Sequence, residues 1–284
     1  MSADFRFRRT WGPTPRYPRV RAWDRPRPGF TVIAGPCSIE SPDQVRECAQ
    51  AMAGIRDKLP SGTDFYMRGG VFRAGTYPPE QFGLNYGLLR FWKDIAIENG
   101  LKIIVEVLDV RELSLIEPLA DALQVGARQA QGYALLTEVS RINKPVFLKN
   151  GPGMKLDEIL GALEYLAQGI CQPRLIIRGS SSFHDHVRWD LSISMVAAAK
   201  AITKIPVLAD PSHGTGRRDL VWPVANAVVS AGADGLLVEM HPTPEQSLSD
   251  ADQAVSQEIG RLIIEDAIYL TDWFKARRQE QASA

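Results

Sequence analysis

An α/β fold, a (β/α)8 barrel with a short N-terminal extension, is the fold class this sequence predicts. Three observations predict it. Eight short runs rich in branched apolar residues succeed one another between residues 31 and 242, most of them separated by stretches of helical period. The runs are continuously apolar rather than alternating, as parallel strands covered on both faces are. The chain has 284 residues, which suits one large barrel. An open doubly wound sheet would have fewer strands and a Gly-rich first turn, and no GxGxxG occurs.

Taken in order, the chain starts with a block set apart by composition. Residues 1–28 hold eight arginines against two acids, with prolines at 13, 15, 18, 26 and 28. Prolines this dense exclude a long helix. Residues 1–29 therefore read as an extended arm on the body or on a partner subunit, or else as a basic patch for an anionic partner. Residues 30–275 form the barrel and 276–284 a polar tail. The strand candidates are TVIAGPC (31–37), DFYMRGG (64–70), KIIVEVLD (102–109), ALQVGA (122–127), PVFLKN (145–150), PRLIIRG (173–179), PVLADPSHG (206–214) and GLLVEMHP (235–242). Amphipathic periodicity predicts helices over Asp43–Lys58, Leu84–Asn99, Lys155–Gln168, Leu191–Ile202, Asp219–Ala231 and Ala251–Lys275.

Bulk numbers narrow the partners. Hydrophobic content is 45%, charged content 23% and the formal net charge zero, so bulk charge argues for neither nucleic acid nor membrane. The three cysteines, Cys37, Cys48 and Cys171, are widely spaced with no CxxC, which fits a reducing compartment. No apolar run reaches the roughly 18 residues of a transmembrane helix, and the basic N-terminus lacks an apolar core like that of a signal peptide. The expectation is a cytoplasmic protein.

Every predicted strand ends in residues unusual for a core. Cys37, Arg68, Glu106 with Asp109, Arg128, Lys149 with Asn150, Arg178, Asp210 with His213, and Glu239 with His241 all fall there. In a barrel these ends share one face, where barrel active sites lie. Cys37, His213 and Glu239, with Asp250 in the following loop, make a mixed S/N/O donor set suited to a divalent transition ion with a position left for substrate. Singly, Cys37 reads as a small hydrophobe and His213 as a core histidine. His241 could equally stand behind the ligands. Arg68, Arg73, Arg128, Lys149 and Arg178 would repel one another without an anion, and arginine forks suit carboxylate and phosphate. Surface ion pairing is the bland alternative. A metal beside a phospho-carboxylate pocket points to carbonyl chemistry, with an enol phosphate as carbon nucleophile.

These residues resemble a known family, the 3-deoxy-7-phosphoheptulonate (DAHP) synthases of the short Iβ type, which also resemble 3-deoxy-octulosonate 8-phosphate (KDO8P) synthase. The matching stretches are AGPCSIES (34–41), RGG (68–70), VGAR (125–128), KPVFLKN (144–150), RG (178–179), DPSHGTGRRDLV (210–221) and GADGLLVEMHPTPEQSLSDADQ (232–253). The resemblance implies a metal-dependent transferase of the shikimate pathway that condenses phosphoenolpyruvate with an aldose phosphate and releases phosphate. It implies Cys37, His213, Glu239 and Asp250 as ligands of a divalent ion, Mn2+ first and Fe2+, Co2+ or Zn2+ as alternatives. It implies Arg68, Ala127, Arg128, Lys149 and Arg178 as the phosphoenolpyruvate site. Arg73 and Thr76 fall on the aldehyde loop. Catalytic roles fall to Arg73, Glu106, His213 and Asp250, with Glu106 near the water that attacks C2. Relatives suggest a homodimer or homotetramer. The N-terminal block is too short for the regulatory domain of some relatives, and no chorismate mutase is expected.

One stretch departs from the family. After RGG the family reads Lys-Pro-Arg-Thr-Ser-Pro, whereas this chain reads Arg73-Ala74-Gly75-Thr76-Tyr77-Pro78. Arg73 keeps charge but is a poor acid near neutral pH. Gly75 replaces an arginine that clamps the aldose phosphate, and such a fork is worth on the order of 1.5–3 kcal/mol. Tyr77 adds bulk, and Asn150 stands where the family has arginine. The expectation is an altered aldehyde, unphosphorylated aldehydes included. The alternatives are an ordinary DAHP synthase in which Arg217 or Arg218 takes the phosphate, and an inactive barrel serving as a binding or scaffold protein.

Overall fold

The computed structural model describes residues 29–73 and 83–283, together with Val20. Of Phe72, Arg73, Gly83, Arg278 and residues 281–283 only the backbone is described. The N-terminal arm, apart from Val20 and Gly29, and the loop carrying Ala74, Gly75, Thr76 and Tyr77 therefore lie outside the described residues.

Eight strands pair in parallel and in sequence order: β1 (Thr31–Gly35), β2 (Asp64–Arg68), β3 (Lys102–Val107), β4 (Ala122–Val125), β5 (Pro145–Lys149), β6 (Gln172–Ile177), β7 (Val207–Ala209) and β8 (Gly235–His241). β1 also pairs with β8, Thr31 opposite Gly235 through Gly35 opposite Glu239, and this closes the barrel. Closure leaves no barrel edge to protect. The helices are α1 (Pro42–Arg56), α2 (Tyr86–Glu98), α3 (Leu113–Ile116), α4 (Tyr133–Ser140), α5 (Leu156–Ala167), α6 (Ile193–Ile202), α7 (Arg218–Ser230) and α8 (Gln257–Ser283).

Period-two alternation sorts the strand residues into an outer and an inner set. Val32, Phe65, Met67, Ile103, Val105, Val146, Leu148, Leu175, Leu236 and Val238 pack in one cluster with helix residues such as Trp92, Leu136 and Ile263. A second cluster takes one residue from each strand: Ile33, Tyr66, Ile104, Ala122, Phe147, Ile176, Leu208 and Leu237. This is the apolar girdle inside the barrel. Two residues further along each strand the same inward face carries Gly35, Arg68, Glu106, Gln124, Lys149, Arg178, Asp210 and Glu239. Two residues earlier it carries Thr31, Asp64, Lys102 and Arg174, which form the opposite floor. There Arg174 pairs with Asp64 at 2.7 Å and Lys102 reaches the same carboxylate at 2.7 Å.

Local chemistry sets the helix starts. Ser41 accepts from the Gln44 amide and Pro42 follows at the first helical position of α1. Asn85 caps α2 and Ser192 caps α6 in the same way. The structure corrects the sequence reading in several places, and the end of the run 206–214, read as strand, is a short helical turn at Ser212–Thr215. α3 and α4 were not predicted, and residues 251–256 are not helical. Val255–Ser256 instead adds a short parallel strand beside Met240 and His241. α8 then runs through residues 276–283, read from sequence as a polar tail.

Candidate active site

The second inward layer is the floor of the site, and most of its polar residues come in opposite-charge pairs. Lys149 lies 2.7 Å from Asp210, and both are buried. Arg68 lies 3.4 Å from Glu239, also buried. Asp210 in turn faces His213 Nδ1 at 2.9 Å and accepts from the His213 amide at 2.9 Å. A carboxylate on one ring nitrogen fixes the ring and leaves Nε2 for another partner. That nitrogen stands 3.3 Å from Glu239 Oε2 and 4.0 Å from Asp250 Oδ2. Cys37 Sγ is 3.2 Å from Asp250 Oδ2. Donor atoms of Cys37, His213, Glu239 and Asp250 all lie within 4.8 Å of one another.

Four segments deliver this cluster. Gly35 at the end of β1 leads into Cys37. The turn after β7 places Asp210 just ahead of a short helical turn, Ser212–Thr215, that carries His213. β8 supplies Glu239, whose amide donates to Ser212 Oγ at 2.9 Å. Asp250 comes from the loop after β8 and holds φ +53°, a left-handed conformation that a non-glycine residue adopts at a cost. That loop is tied down by Glu40, which accepts from the Leu248 amide at 2.8 Å. Ser38 and Ser249 share a hydroxyl–hydroxyl bond of 2.8 Å. His241 stands behind the cluster, with Nε2 3.0 Å from Gln44 and Nδ1 accepting from the Thr243 amide at 3.0 Å.

The charges of the site fit a divalent cation. Burial, then the neighbouring Glu239 and Asp250 carboxylates, push the Cys37 thiol up to about 12. Burial raises the Glu239 carboxyl despite His213 and Arg68 nearby. Burial also works against the Asp250 and Asp210 carboxylates. For Asp250 it is outweighed by His213, the Cys37 hydrogen bond and two arginines, and for Asp210 by His213 and Lys149. Glu239 Oε1 is buried with no hydrogen-bond partner among the described residues. A buried carboxylate oxygen left bare beside a thiol and an imidazole is what a cation would satisfy.

The cationic half fits an anion for a parallel reason. Arg68 Nη1 and Arg178 Nε are buried and without a hydrogen-bond partner among the described residues. Arg178 packs its guanidinium over Trp189, 4.8 Å from the ring centre, and donates to the His213 carbonyl at 3.0 Å. Its amide donates to Asn150 Oδ1 at 2.7 Å, so Asn150 clasps β5 to β6 rather than presenting charge. Burial and the charges of Arg188 and Arg128 depress Arg178, against the pull of Asp210 and Asp250. Arg128 is exposed and follows Ala127 at the end of β4. Glu106 lies on the inward layer against Gly126, where a Cβ would collide with its carboxylate.

Other predicted residues fall elsewhere or out of view. The side chains of Arg73 and Thr76 lie outside those described. Asp109 turns outward to cap a 3-10 turn and pairs with Arg111. Arg217 is engaged by Asp219 and the His186 carbonyl, and Arg218 by Glu245 and the Ala251 carbonyl. Both arginines sought as substitutes for the missing phosphate clamp are thus already partnered. Three residues escaped the sequence reading. Gln253 donates to Glu239 Oε2 at 2.9 Å, buried. Gln124 shares the inward layer with Glu106 and Lys149. Arg188 lies 3.5 Å from Asp250 Oδ1 at the rim. The strand period marks Gln124, but nothing local marks the other two.

Comparisons with known proteins agree on one chemistry. The model of the DAHP synthetase I family matches residues 27–271. Phospho-2-dehydro-3-deoxyheptonate aldolase of Thermotoga maritima is 36% identical over 244 residues, covering 86% of this chain and 70% of that protein. A 2-dehydro-3-deoxyphosphooctonate aldolase of Acidithiobacillus ferrooxidans is 27% identical, covering 79% and 83%. The crystal structure of the Thermotoga maritima DAHP synthase superposes with a TM-score of 0.79 at 33% identity, over 87% of this chain and 70% of that one. Its truncated form gives 0.76 over 86% and 87%.

Proposed function

The chain belongs to the DAHP synthetase I family, and from that premise we propose that it condenses phosphoenolpyruvate with an aldehyde. The products are phosphate and a 3-deoxy-2-keto acid. The enzyme is a transferase that forms a C–C bond from phosphoenolpyruvate. The observation that carries the proposal is a juxtaposition. Donor atoms of a thiol, an imidazole and two carboxylates lie within 4.8 Å of one another, beside the buried guanidinium of Arg68 and that of Arg178, whose Nε has no hydrogen-bond partner among the described residues.

Arg68, Arg128, Lys149 and Arg178, with the Ala127 amide, bind the carboxylate and phosphate of phosphoenolpyruvate. Cys37, His213, Glu239 and Asp250 hold a divalent ion, manganese first and iron, cobalt or zinc after it. Such an ion, when bound, polarises an aldehyde oxygen. In the overall reaction C3 of phosphoenolpyruvate bonds to the carbonyl carbon, and the carbonyl oxygen gains a proton. Water adds to C2 and gives one proton to Glu106, which balances the proton taken up by the carbonyl oxygen. The C2 hydroxyl then loses its second proton to the departing phosphate, which leaves with the C2–O electron pair as the ketone forms. Arg73 stays protonated and acts as a fixed charge beside the developing alkoxide. Asp210 orients His213, and Asp250 completes the cluster from its loop.

The aldehyde half carries the departure at Gly75, which supports an aldehyde other than erythrose 4-phosphate in a specialised pathway. The 36% identity to the Thermotoga maritima enzyme favours a second reading, an ordinary DAHP synthase of the shikimate pathway. One assay tests both: loss of enol absorbance and release of phosphate, with Mn2+ and a panel of phosphorylated and unphosphorylated aldehydes. Turnover with erythrose 4-phosphate above all others selects the second reading. Consumption of phosphoenolpyruvate with no aldehyde overturns the proposal. Assembly into a homodimer or homotetramer belongs to the same reading, and light scattering on the purified chain checks it. Among the described residues no helix is long and apolar enough to cross a membrane.

A further inference from the structure

The loop after β6 places a cation at the rim of the site that the roles above leave unused. Residues 180–190 leave the barrel and return. Ser180 and Asp190 exchange two backbone hydrogen bonds of 3.0 Å, which clasp the base of the loop. The clasp brings Arg188 and Trp189 back beside Arg178. Gly179 makes this possible, because a Cβ there would stand 2.5 Å from Trp189 Cβ and 2.7 Å from the Gly214 carbonyl oxygen. Trp189 therefore lies against the strand end, not out on the loop tip where Phe183 is fully exposed.

Two arginines use this one indole. Arg178 lies 4.8 Å from the ring centre and faces inward, and Arg188 lies 5.7 Å from it and faces out. The Arg188 side chain is 59% exposed. Its one ion-pair partner among the described residues is Asp250 Oδ1 at 3.5 Å, beyond hydrogen-bond length. Asp250 turns its other oxygen to Cys37, so Arg188 stands at the outer edge of the donor cluster, on its Asp250 side. Arg217 and Arg218, in the segment after β7, are taken by their own acids.

Resting on the reading of the site as a phosphoenolpyruvate–aldehyde condensing centre, we propose that Arg188, braced by Trp189, receives an anionic group carried by the aldehyde away from its carbonyl. That group is a phosphate or a carboxylate. The carbonyl lies at the donor cluster and the anionic end reaches outward past Asp250 to the rim. A guanidinium fork matches either anion. An anion site of this kind would be supplied by the loop after β6, not by the stretch in which Gly75 departs from the family.

The test uses wild type, R188Q and R188K with phosphoenolpyruvate, Mn2+ and paired aldehydes. Erythrose 4-phosphate and arabinose 5-phosphate carry phosphate, succinic semialdehyde carries carboxylate, and erythrose and arabinose are neutral. Wild type is expected to prefer an anionic aldehyde over its neutral counterpart, and the preferred member tells phosphate from carboxylate. In R188Q that preference collapses through KM for the aldehyde, with kcat/KM for the anionic member down about 10- to 100-fold. KM for phosphoenolpyruvate and the bound metal content hold. R188K recovers part of the loss, since it keeps the charge without the fork. A parallel loss on anionic and neutral aldehydes, or a loss of metal, would show that Arg188 only steadies Asp250 and would overturn the assignment. A neutral-aldehyde preference in wild type, or an unaltered preference in R188Q, overturns it while leaving the condensation reading standing. Absence of phosphoenolpyruvate consumption with every aldehyde removes that reading, and this assignment with it.

Discussion

Gln253 and Asp210 each turn a member of the donor cluster without belonging to it. Gln253 donates to Glu239 Oε2 at 2.9 Å, the oxygen that also faces Arg68 and His213. Partners of this kind orient a ligand, and their loss typically costs 10- to 100-fold in metal affinity. Gln253→Ala is therefore expected to weaken Mn2+ binding by about that factor while far-UV circular dichroism stays native. A competition titration against a chelator reads it, and unaltered affinity would show that Gln253 does not orient Glu239 for the ion. Asp210 has a heavier role, because it faces Lys149 at 2.7 Å as well as His213. Asp210→Asn leaves the Lys149 ammonium buried without its counter-charge. Breaking a buried pair in this way costs roughly 3–5 kcal/mol, so thermal unfolding of this variant is expected to shift down as its metal affinity drops. The sequence marked Asp210 by its place at a strand end. It could not mark Gln253, whose value comes from a contact with Glu239 made only after the β8 loop has folded back.

Among elements, the strands were legible and the shorter helices were not. A strand covered on both faces must be apolar at every position, so the eight runs stood out. Ile33, Tyr66, Ile104 and Phe147 were recognised as strand residues, but only closure of the sheet shows that they face one another. α3 has four residues and α4 eight, too few turns to display a period against their polar neighbours. Residues 251–256 read as the start of a helix because Val255 falls on its apolar stripe. Pairing with β8 pulls them into an extended stretch instead. The barrel floor carries a prediction at this scale. Burial raises the Asp64 carboxyl, yet Lys102 and Arg174 outweigh it and hold the group below its ordinary value. A carboxyl depressed in the fold contributes stability that is present above its unfolded pKa, about 3.9, and lost as pH falls through the folded value. Wild type should therefore lose more stability than Asp64→Asn between about pH 4 and pH 2. Near pH 7 the variant should be less stable by roughly 3–5 kcal/mol, because Arg174 is left buried. Denaturant melts across that pH range check the sign, and parallel curves for the two proteins would refute it.

At the scale of the whole molecule, an apolar girdle of eight side chains separates two polar layers of opposite use. The floor layer ties strands together by ion pairs, and the upper layer, though partly paired, leaves Glu239 Oε1 and Arg178 Nε without a hydrogen-bond partner among the described residues. The site was legible to the extent that strand ends predict it. Cys37, His213 and Glu239 converge because β1, β7 and β8 are neighbours around the closed sheet. Arg188 was not legible, since its position depends on the Ser180–Asp190 clasp, a tertiary feature. This division of labour determines what removal of the metal should do. The barrel is closed by strand pairing all round and owes none of that pairing to an ion. Without a cation burial pushes the Cys37 thiol up to about 12, so it adds no thiolate charge near neutral pH, and Glu239 keeps Arg68 opposite it; the emptied cluster is not driven apart. An ion that binds the folded chain stabilises it by about 2.7 kcal/mol at a hundred times its Kd. For a chain of this size that corresponds to a shift in Tm of about 5 °C. Chelation of the Mn2+-loaded protein is expected to lower Tm by about that much, to keep one cooperative transition, and to be reversed by adding Mn2+. A far-UV signal that collapses on chelation at 25 °C would assign the ion a structural role, and a Tm indifferent to Mn2+ and chelator alike would mean the four donors do not hold that ion.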